Sequence, residues 1–218
     1  MAHREFNDRL SAGTILGAAV AKLSLVDAVV LGLPRGGVPV AAKVAEAIDA
    51  PLDVIVVRKV GVPGQPELAM GAAGEDGILV VNHEVVEITG VSQAELDEVA
   101  RRERDTLDRS VGSIRAVRPR VRLAGRAAVI VDDGIATGAT MRAAIRVARA
   151  NDARSVIVAT PVAPREVVAA LRKEADGVVC VAQPEPFGSV GRFYRQFDSI
   201  ADDEVIDLLV AAMARIDE

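Results

Sequence analysis

The chain has 218 residues, enough for one domain with a real core. Half of them are apolar, mostly Ala and Val, with four Phe, one Tyr and no Trp. The formal net charge of −5 argues against a general nucleic-acid or membrane-surface binder. The lone cysteine, Cys180, has no internal disulfide partner and sits in an apolar run, which fits a small hydrophobe in a reducing cytoplasm. No apolar run approaches the roughly 18 residues of a membrane span. The N-terminus Met1-Ala2-His3-Arg4-Glu5-Phe6 lacks the apolar core of a signal peptide. His3 and His83 lie far apart, without Cys or His at ligand spacing, which argues against a zinc site.

Residues 4–23 read as one packing helix or two short ones, striped by Phe6, Leu10, Leu16, Val20 and Leu23, with Gly13 as a candidate break. Asp27 to Leu33 reads as an apolar strand through Ala28-Val29-Val30-Leu31. It runs into Gly32-Leu33-Pro34-Arg35-Gly36-Gly37, and a helix follows with Val40, Val44, Ala47 and Ile48 on one face. Strand, glycine turn with one cation, then helix makes a diphosphate receiver or an ordinary turn. The glycines do not fit the G-x-G-x-x-G dinucleotide spacing.

Leu52 to Val57 reads as another strand, ending at Arg58-Lys59. The loop after it, about 60–75, contains Pro63, Gly64 and Pro66 and reads as a flexible lid beside an anion, with Glu67 as its nearest carboxylate. Leu68 to Ala73 and Ile78 to Val81 fit a hairpin across Gly74-Glu75-Asp76-Gly77. Ser92-Gln93-Ala94-Glu95 is a capping box with Val91 and Leu96 as staple, opening a long helix that runs to Pro119. Arg115, Arg118, Arg120, Arg122 and Arg126 read as a solvated basic face.

The stretch Ala127 to Thr140 organises the rest. Ala127-Ala128-Val129-Ile130-Val131 is a buried strand of the kind found in parallel sheets. Two carboxylates, Asp132 and Asp133, follow at its C-terminal end, where open α/β sheets place ligands. Then Ala136-Thr137-Gly138-Ala139-Thr140 supplies backbone N–H groups and two hydroxyls before an Ala-rich helix, a turn that suits a phosphate. Caps and acidic turns account for each residue singly, but not for the whole order.

Beyond it come a helix from Met141 to Arg149, a strand from Ser155 to Thr160, a helix opened by Pro164 and a strand from Val178 to Val181. Alternating strands and helices imply a parallel sheet with right-handed crossovers. Phe187, Phe193, Tyr194 and Phe197 cluster late in the chain, as a local core or as a stacking wall for a flat heterocycle. Asp202-Asp203-Glu204 begins a last helix with acids suited to its dipole.

The order apolar strand, acidic pair, spacer, Thr-Gly-x-Thr resembles the PRPP-binding motif of type I phosphoribosyltransferases. The resemblance implies an α/β fold, a parallel sheet with helices on both faces plus a small hood formed partly by about 182–200, in a single domain over 1–218. It implies that Ala136, Thr137, Gly138, Ala139 and Thr140 wrap the 5′-phosphate of PRPP and that Asp132 and Asp133 lie along the ribose hydroxyls. Gly36 and Gly37 with Arg35 correspond to the pyrophosphate loop, where the family commonly holds a strained cis peptide, here near Pro34-Arg35. Arg58 and Lys59 are the cations for the leaving pyrophosphate. Phe187 is the base-stacking candidate. Mg²⁺ is the implied cofactor, carried by PRPP and touched by Asp132 or Asp133. A homodimer is common in the family.

In this resemblance Arg35, Lys59, Asp132 and Asp133 serve the displacement at C1 of PRPP by a nucleobase, purine-like by default. Many members carry an Asp where this chain has Ala136, so no general base is named. A PRPP-sensing protein without turnover, with an RNA partner on the arginine run, is the rival reading. A different nucleotide-binding enzyme is a weaker one, because the G-x-x-x-x-G-K-[ST] loop is absent.

Overall fold

The computed structural model describes residues 6–215. His3 and the first two residues of the predicted 4–23 helix lie outside the described residues. In chain order the elements are α1 (Arg9–Ala21), β1 (Ala28–Gly32), α2 (Gly37–Ala47), β2 (Leu52–Val54), β3 (Val57–Val62), β4 (Gln65–Gly74), β5 (Leu79–Val81), α3 (His83–Thr89), α4 (Gln93–Val117), β6 (Ala127–Val131), α5 (Ala139–Ala150), β7 (Ser155–Val162), α6 (Arg165–Leu171), β8 (Gly177–Ala182) and α7 (Asp202–Ala214). A short 3-10 turn, Val190–Phe193, lies between β8 and α7.

Five parallel strands form the central sheet in the order β2-β1-β6-β7-β8. Strands β1 and β6 are apolar without alternation because both faces are covered. Alternate residues go to opposite faces. Val29, Leu31, Ala128 and Ile130 pack under α5 and α6 against Met141, Ile145 and Leu171. Val30, Val129 and Val131 pack on the other face against Leu16 of α1, Val44 of α2 and Leu209 of α7. The chain leaves β1 through α2 towards one edge and leaves β6 through α5 towards the other. The crevice where the order reverses therefore opens between the C-terminal ends of β1 and β6, the expected ligand position in such sheets.

The expected strand from Leu52 to Val57 is cut short. Strand β2 ends at Val54, and Val57 begins a separate antiparallel sheet in the order β3-β4-β5. One apolar run thus serves two sheets. The 60–75 stretch, expected as a flexible loop, is a paired β-ribbon whose turn is Pro63-Gly64, with Gly64 at φ 76°. The hairpin across 74–77 forms as expected, with Ala72 opposite Val80. Leu96 and Ala100 of α4 cover this small sheet through Val60, Val62 and Met70. The segment after β8 forms the 3-10 turn and a local core of Phe6, Val162, Phe193 and Tyr194.

Two further expectations fail for physical reasons. Gly13 does not break α1; it is where α1 crosses α2, and a Cβ there would lie 2.9 Å from the Val40 carbonyl oxygen. The arginine run is not simply a solvated face. Arg115 donates from Nη1 to Asp53 Oδ1 at 2.7 Å and from Nε to Glu75 Oε2 at 2.5 Å. Asp53 is 1% exposed and also accepts from the Val121 N–H at 2.8 Å. Arg118 donates to the Leu52 carbonyl, Arg120 pairs with Asp76, and Arg126 pairs with Asp27; Arg122 alone of the five is exposed. Burial opposes the Arg115 charge, but hydrogen bonds and charge from Glu75 and Asp53 hold the guanidinium above its ordinary pKa. This knot ties the end of α4 to β2 and to the end of β4.

Removing Arg115 leaves two buried carboxylates without their cation. Arg115→Met should cost about 3 kcal/mol, a fall in Tm of roughly 6–12 °C for a chain of this size. Thermal unfolding checks this, and an unchanged Tm would return Arg115 to the solvated face.

Candidate active site

The site is built where two loops meet backbone to backbone. The Leu33 N–H donates to the Val131 carbonyl at 2.9 Å, which carries the β1–β6 pairing one step past Gly32. A Cβ on Gly37 would lie 2.6 Å from the Val131 carbonyl oxygen, and one on Gly36 would collide with Asp133 Oδ2. Only glycine permits that approach. The Pro34–Arg35 peptide between these contacts is cis, at the position the resemblance implies.

The two acids are unlike each other. Asp133 is buried, and Arg9 of α1 donates from Nε to its Oδ2 at 2.7 Å. The phenol of Tyr194 donates to the Asp133 carbonyl at 2.5 Å. Burial, then the Asp133 charge, holds that phenol above its ordinary pKa and keeps it a donor. Asp132 is half-buried, and its Oδ1 accepts the Asp133 N–H at 2.9 Å. Burial and then the neighbouring Asp133 charge lift the Asp132 carboxyl well above the usual carboxylate range. Burial also raises Asp133, and the Arg9 hydrogen bond opposes it.

The turn after the acids presents a helix N-terminus. Gly138 sits at φ 78° as the N-cap of α5, so Ala139 and Thr140 open the helix with N–H groups that have no acceptor within it. Ala136, Thr137 and Thr140 are exposed. Arg142 props the turn from behind, donating to the Thr137 carbonyl at 3.2 Å and to Glu174 at 2.8 Å. Gly134 lies against Val190 so closely that a Cβ would overlap it, which seats the post-β8 segment on the motif.

The predicted cations lie along a groove beside the Pro34–Arg35 loop. A cavity of about 480 Å³ is lined by Arg35, Arg58, Ser110, Ser113, Thr140 and Asp202, among others. A neighbouring one of about 700 Å³ adds Lys59 and the ribbon turn at Pro63-Gly64. Neither cavity is lined by Asp132 or Asp133. Arg35 Nη1 is 3.6 Å from Asp202 Oδ1, and Arg58 Nε is 2.9 Å from Glu103 Oε2. Phe187 is half-buried against Phe193, with ring centroids 5.2 Å apart, and lines neither cavity.

Sequence reasoning missed Arg9 and the Tyr194 hydroxyl. Their contacts with Asp133 span 124 and 61 residues, beyond any local pattern. The one signal for Tyr194 was its being the sole tyrosine in an aromatic-poor chain. No group of three or more His, Cys, Asp or Glu able to hold a metal occurs among the described residues. Asp132, the half-buried acid of the pair, is the carboxylate that would meet a divalent ion arriving with phosphate oxygens.

The raised Asp132 pKa has a stability consequence. The folded chain holds that proton more tightly than the unfolded chain. Between the ordinary carboxylate value and the raised one, stability falls as pH rises. Asp132→Asn removes that loss. It should raise Tm at pH 7 by about 2 °C or more, with the gain shrinking as pH falls towards about 4. A variant no more stable than the parent at pH 7 would contradict this.

The phosphoribosyl transferase domain family matches residues 21–197. Over 204 residues, 94% of this chain, the sequence is 53% identical to two Mycobacterium tuberculosis proteins, "Putative phosphoribosyl transferase MT0597" of strain CDC 1551 / Oshkosh and "Putative phosphoribosyl transferase Rv0571c" of strain H37Rv. The match takes in 46% of each, so the chain spans about half the length of the curated relatives it matches. The crystal structure of TT1426 from Thermus thermophilus superposes with a TM-score of 0.91 at 44% identity, covering 95% of this chain and 98% of that one. With that match over most of its length, on the fold and crevice described above, the chain belongs to the phosphoribosyl transferase domain family.

Proposed function

We propose that this protein is a Mg²⁺-dependent phosphoribosyltransferase that moves the 5-phosphoribosyl group from PRPP to a nitrogen of a nucleobase, purine-like in preference, and releases pyrophosphate. The observation that carries this reading is the meeting of two loops at the β1/β6 crevice. One is the glycine loop 34–37, and the other is the 132–140 turn that opens α5.

In this reading the N–H groups and hydroxyls of Thr137, Gly138, Ala139 and Thr140 receive the 5′-phosphate. Asp132 accepts from the ribose hydroxyls. Gly36, Gly37 and Arg35 receive the diphosphate, with Arg58 and Lys59 beside it. The C1–O bond to pyrophosphate breaks, and oxygen keeps the electron pair. The acceptor nitrogen supplies the pair for the new C1–N bond and gives its proton to solvent. Negative charge grows on the departing oxygen, so cations aimed there favour the transition state. Arg35 and Arg58 hold carboxylates in exposed pairs, which contribute little. Either can exchange its carboxylate for phosphate at small cost. Asp132 with the diphosphate oxygens would hold Mg²⁺, which when bound supplies charge neutralisation of the leaving group. A flat acceptor would approach from the β7–β8 side, where the aromatic segment with Phe187 rests on Gly134 through Val190.

The test is pyrophosphate release from PRPP and Mg²⁺ against a panel of purines and pyrimidines, with Asp132→Asn as control. Base-dependent release that falls roughly 100-fold in the variant is expected. Release that ignores both the base and the variant would sink the reading. PRPP binding without turnover on any acceptor would favour the sensing protein.

A further inference from the structure

We propose that Arg9 is a positioning residue for the ribose–diphosphate site and that it acts through Asp133; the substrate part of this rests on the PRPP reading above. Arg9 is held from three sides. Its Nε donates to Asp133 Oδ2 at 2.7 Å, its Nη1 donates to the Asp198 carbonyl at 2.7 Å, and its guanidinium carbon lies 3.9 Å from the centroid of the Phe197 ring. The side chain is only 11% exposed. Phe197 stacks on Tyr194 with centroids 4.9 Å apart, and Tyr194 returns to Asp133 through its carbonyl. Asp133 is thus gripped at its side chain from α1 and at its backbone from the post-β8 segment. The same two segments are joined by backbone bonds, Phe6 N–H to the Phe193 carbonyl at 3.0 Å and Gln196 N–H to the Asn7 carbonyl at 2.8 Å.

What makes this more than a fastening of the two segments is where the gripped atom points. Asp133 Oδ2, the oxygen that Arg9 holds, is also the atom that the Gly36 backbone lies against. Arg9 therefore fixes the surface on which the diphosphate loop rests. Asp132, the preceding residue in the chain, is fixed with it through the Asp133 N–H. Without the guanidinium, a buried carboxylate loses its cation and must move or be neutralised. If it moves, the 34–37 loop that rests on its Oδ2 shifts relative to the 136–140 turn. PRPP must span both, so a small change in their spacing weakens binding without any lost contact to the ligand.

A double-mutant cycle tests the route through Asp133. PRPP affinity in Mg²⁺ would be measured by calorimetry for the parent, Arg9→Met, Asp133→Asn and the pair. Hydrogen exchange at the Gly37 and Val38 amides, which donate to Leu33 and Arg35 carbonyls, would be followed in the same proteins. Arg9→Met should weaken binding by roughly 10-fold or more and speed exchange at those amides. In the Asp133→Asn background the same change should alter affinity by less than about 2-fold. A residue that only staples α1 to the post-β8 segment would lower Tm, leave the affinity of the folded protein unchanged and leave the loop amides protected. That result, or additive effects in the cycle, overturns the proposal. If Arg9→Met does not fold, Arg9→Lys keeps the charge without the fork or the stacking and is read by the same two measurements. If the parent binds no PRPP, the functional reading falls, and loop exchange alone decides the role of Arg9.

Discussion

The contact on which the rest of the molecule depends is the backbone approach of the 34–37 loop to the 131–133 strand end. Two adjacent glycines permit it, because a side chain at either position would meet Asp133 Oδ2 or the Val131 carbonyl. The sheet places those loops side by side, since β1 and β6 are neighbours from which the chain departs in opposite directions. A crevice is thus built into the topology before any ligand chemistry is considered. The helix N-terminus at Ala139 then gives one side of the crevice its preference for an anion.

Charge is managed differently in the two halves of the molecule. Around the small sheet, Arg115 neutralises two buried carboxylates and locks α4 onto β2 and β4. Around the crevice, Arg9 pairs with Asp133 and opposes the upward shift that burial gives it, while burial and the Asp133 charge lift Asp132 well above the usual carboxylate range. A carboxylate in that condition would gain from a cation or from hydroxyl donors. The cations of the groove, Arg35 and Arg58, are in weak exposed pairs and remain available.

Much of this was legible because the signals are local. The apolar runs of β1 and β6 state their burial directly, and the capping box at the start of α4 forms with Ser92 N–H to Glu95 Oε2 at 3.0 Å. The glycine loop, the acidic pair and the Thr-Gly-x-Thr turn were each found as contiguous text. What was not legible depends on partners far along the chain. Five arginines in a dozen residues look solvated until Asp53 and Glu75 arrive from 62 and 40 residues away. The run from Leu52 to Val57 gives no sign that the chain changes sheets after Val54. Arg9 is an ordinary first-turn arginine until the fold brings Asp133 to it.

The most direct measurement is a crystal structure of the protein with PRPP and Mg²⁺. The account predicts the 5′-phosphate at the amides of residues 137–140, the diphosphate against Gly36 and Gly37, Asp132 on the ribose, and Arg9 still on Asp133. PRPP bound elsewhere, with no phosphate at the amides of residues 137–140 and none against Gly36 and Gly37, would contradict it.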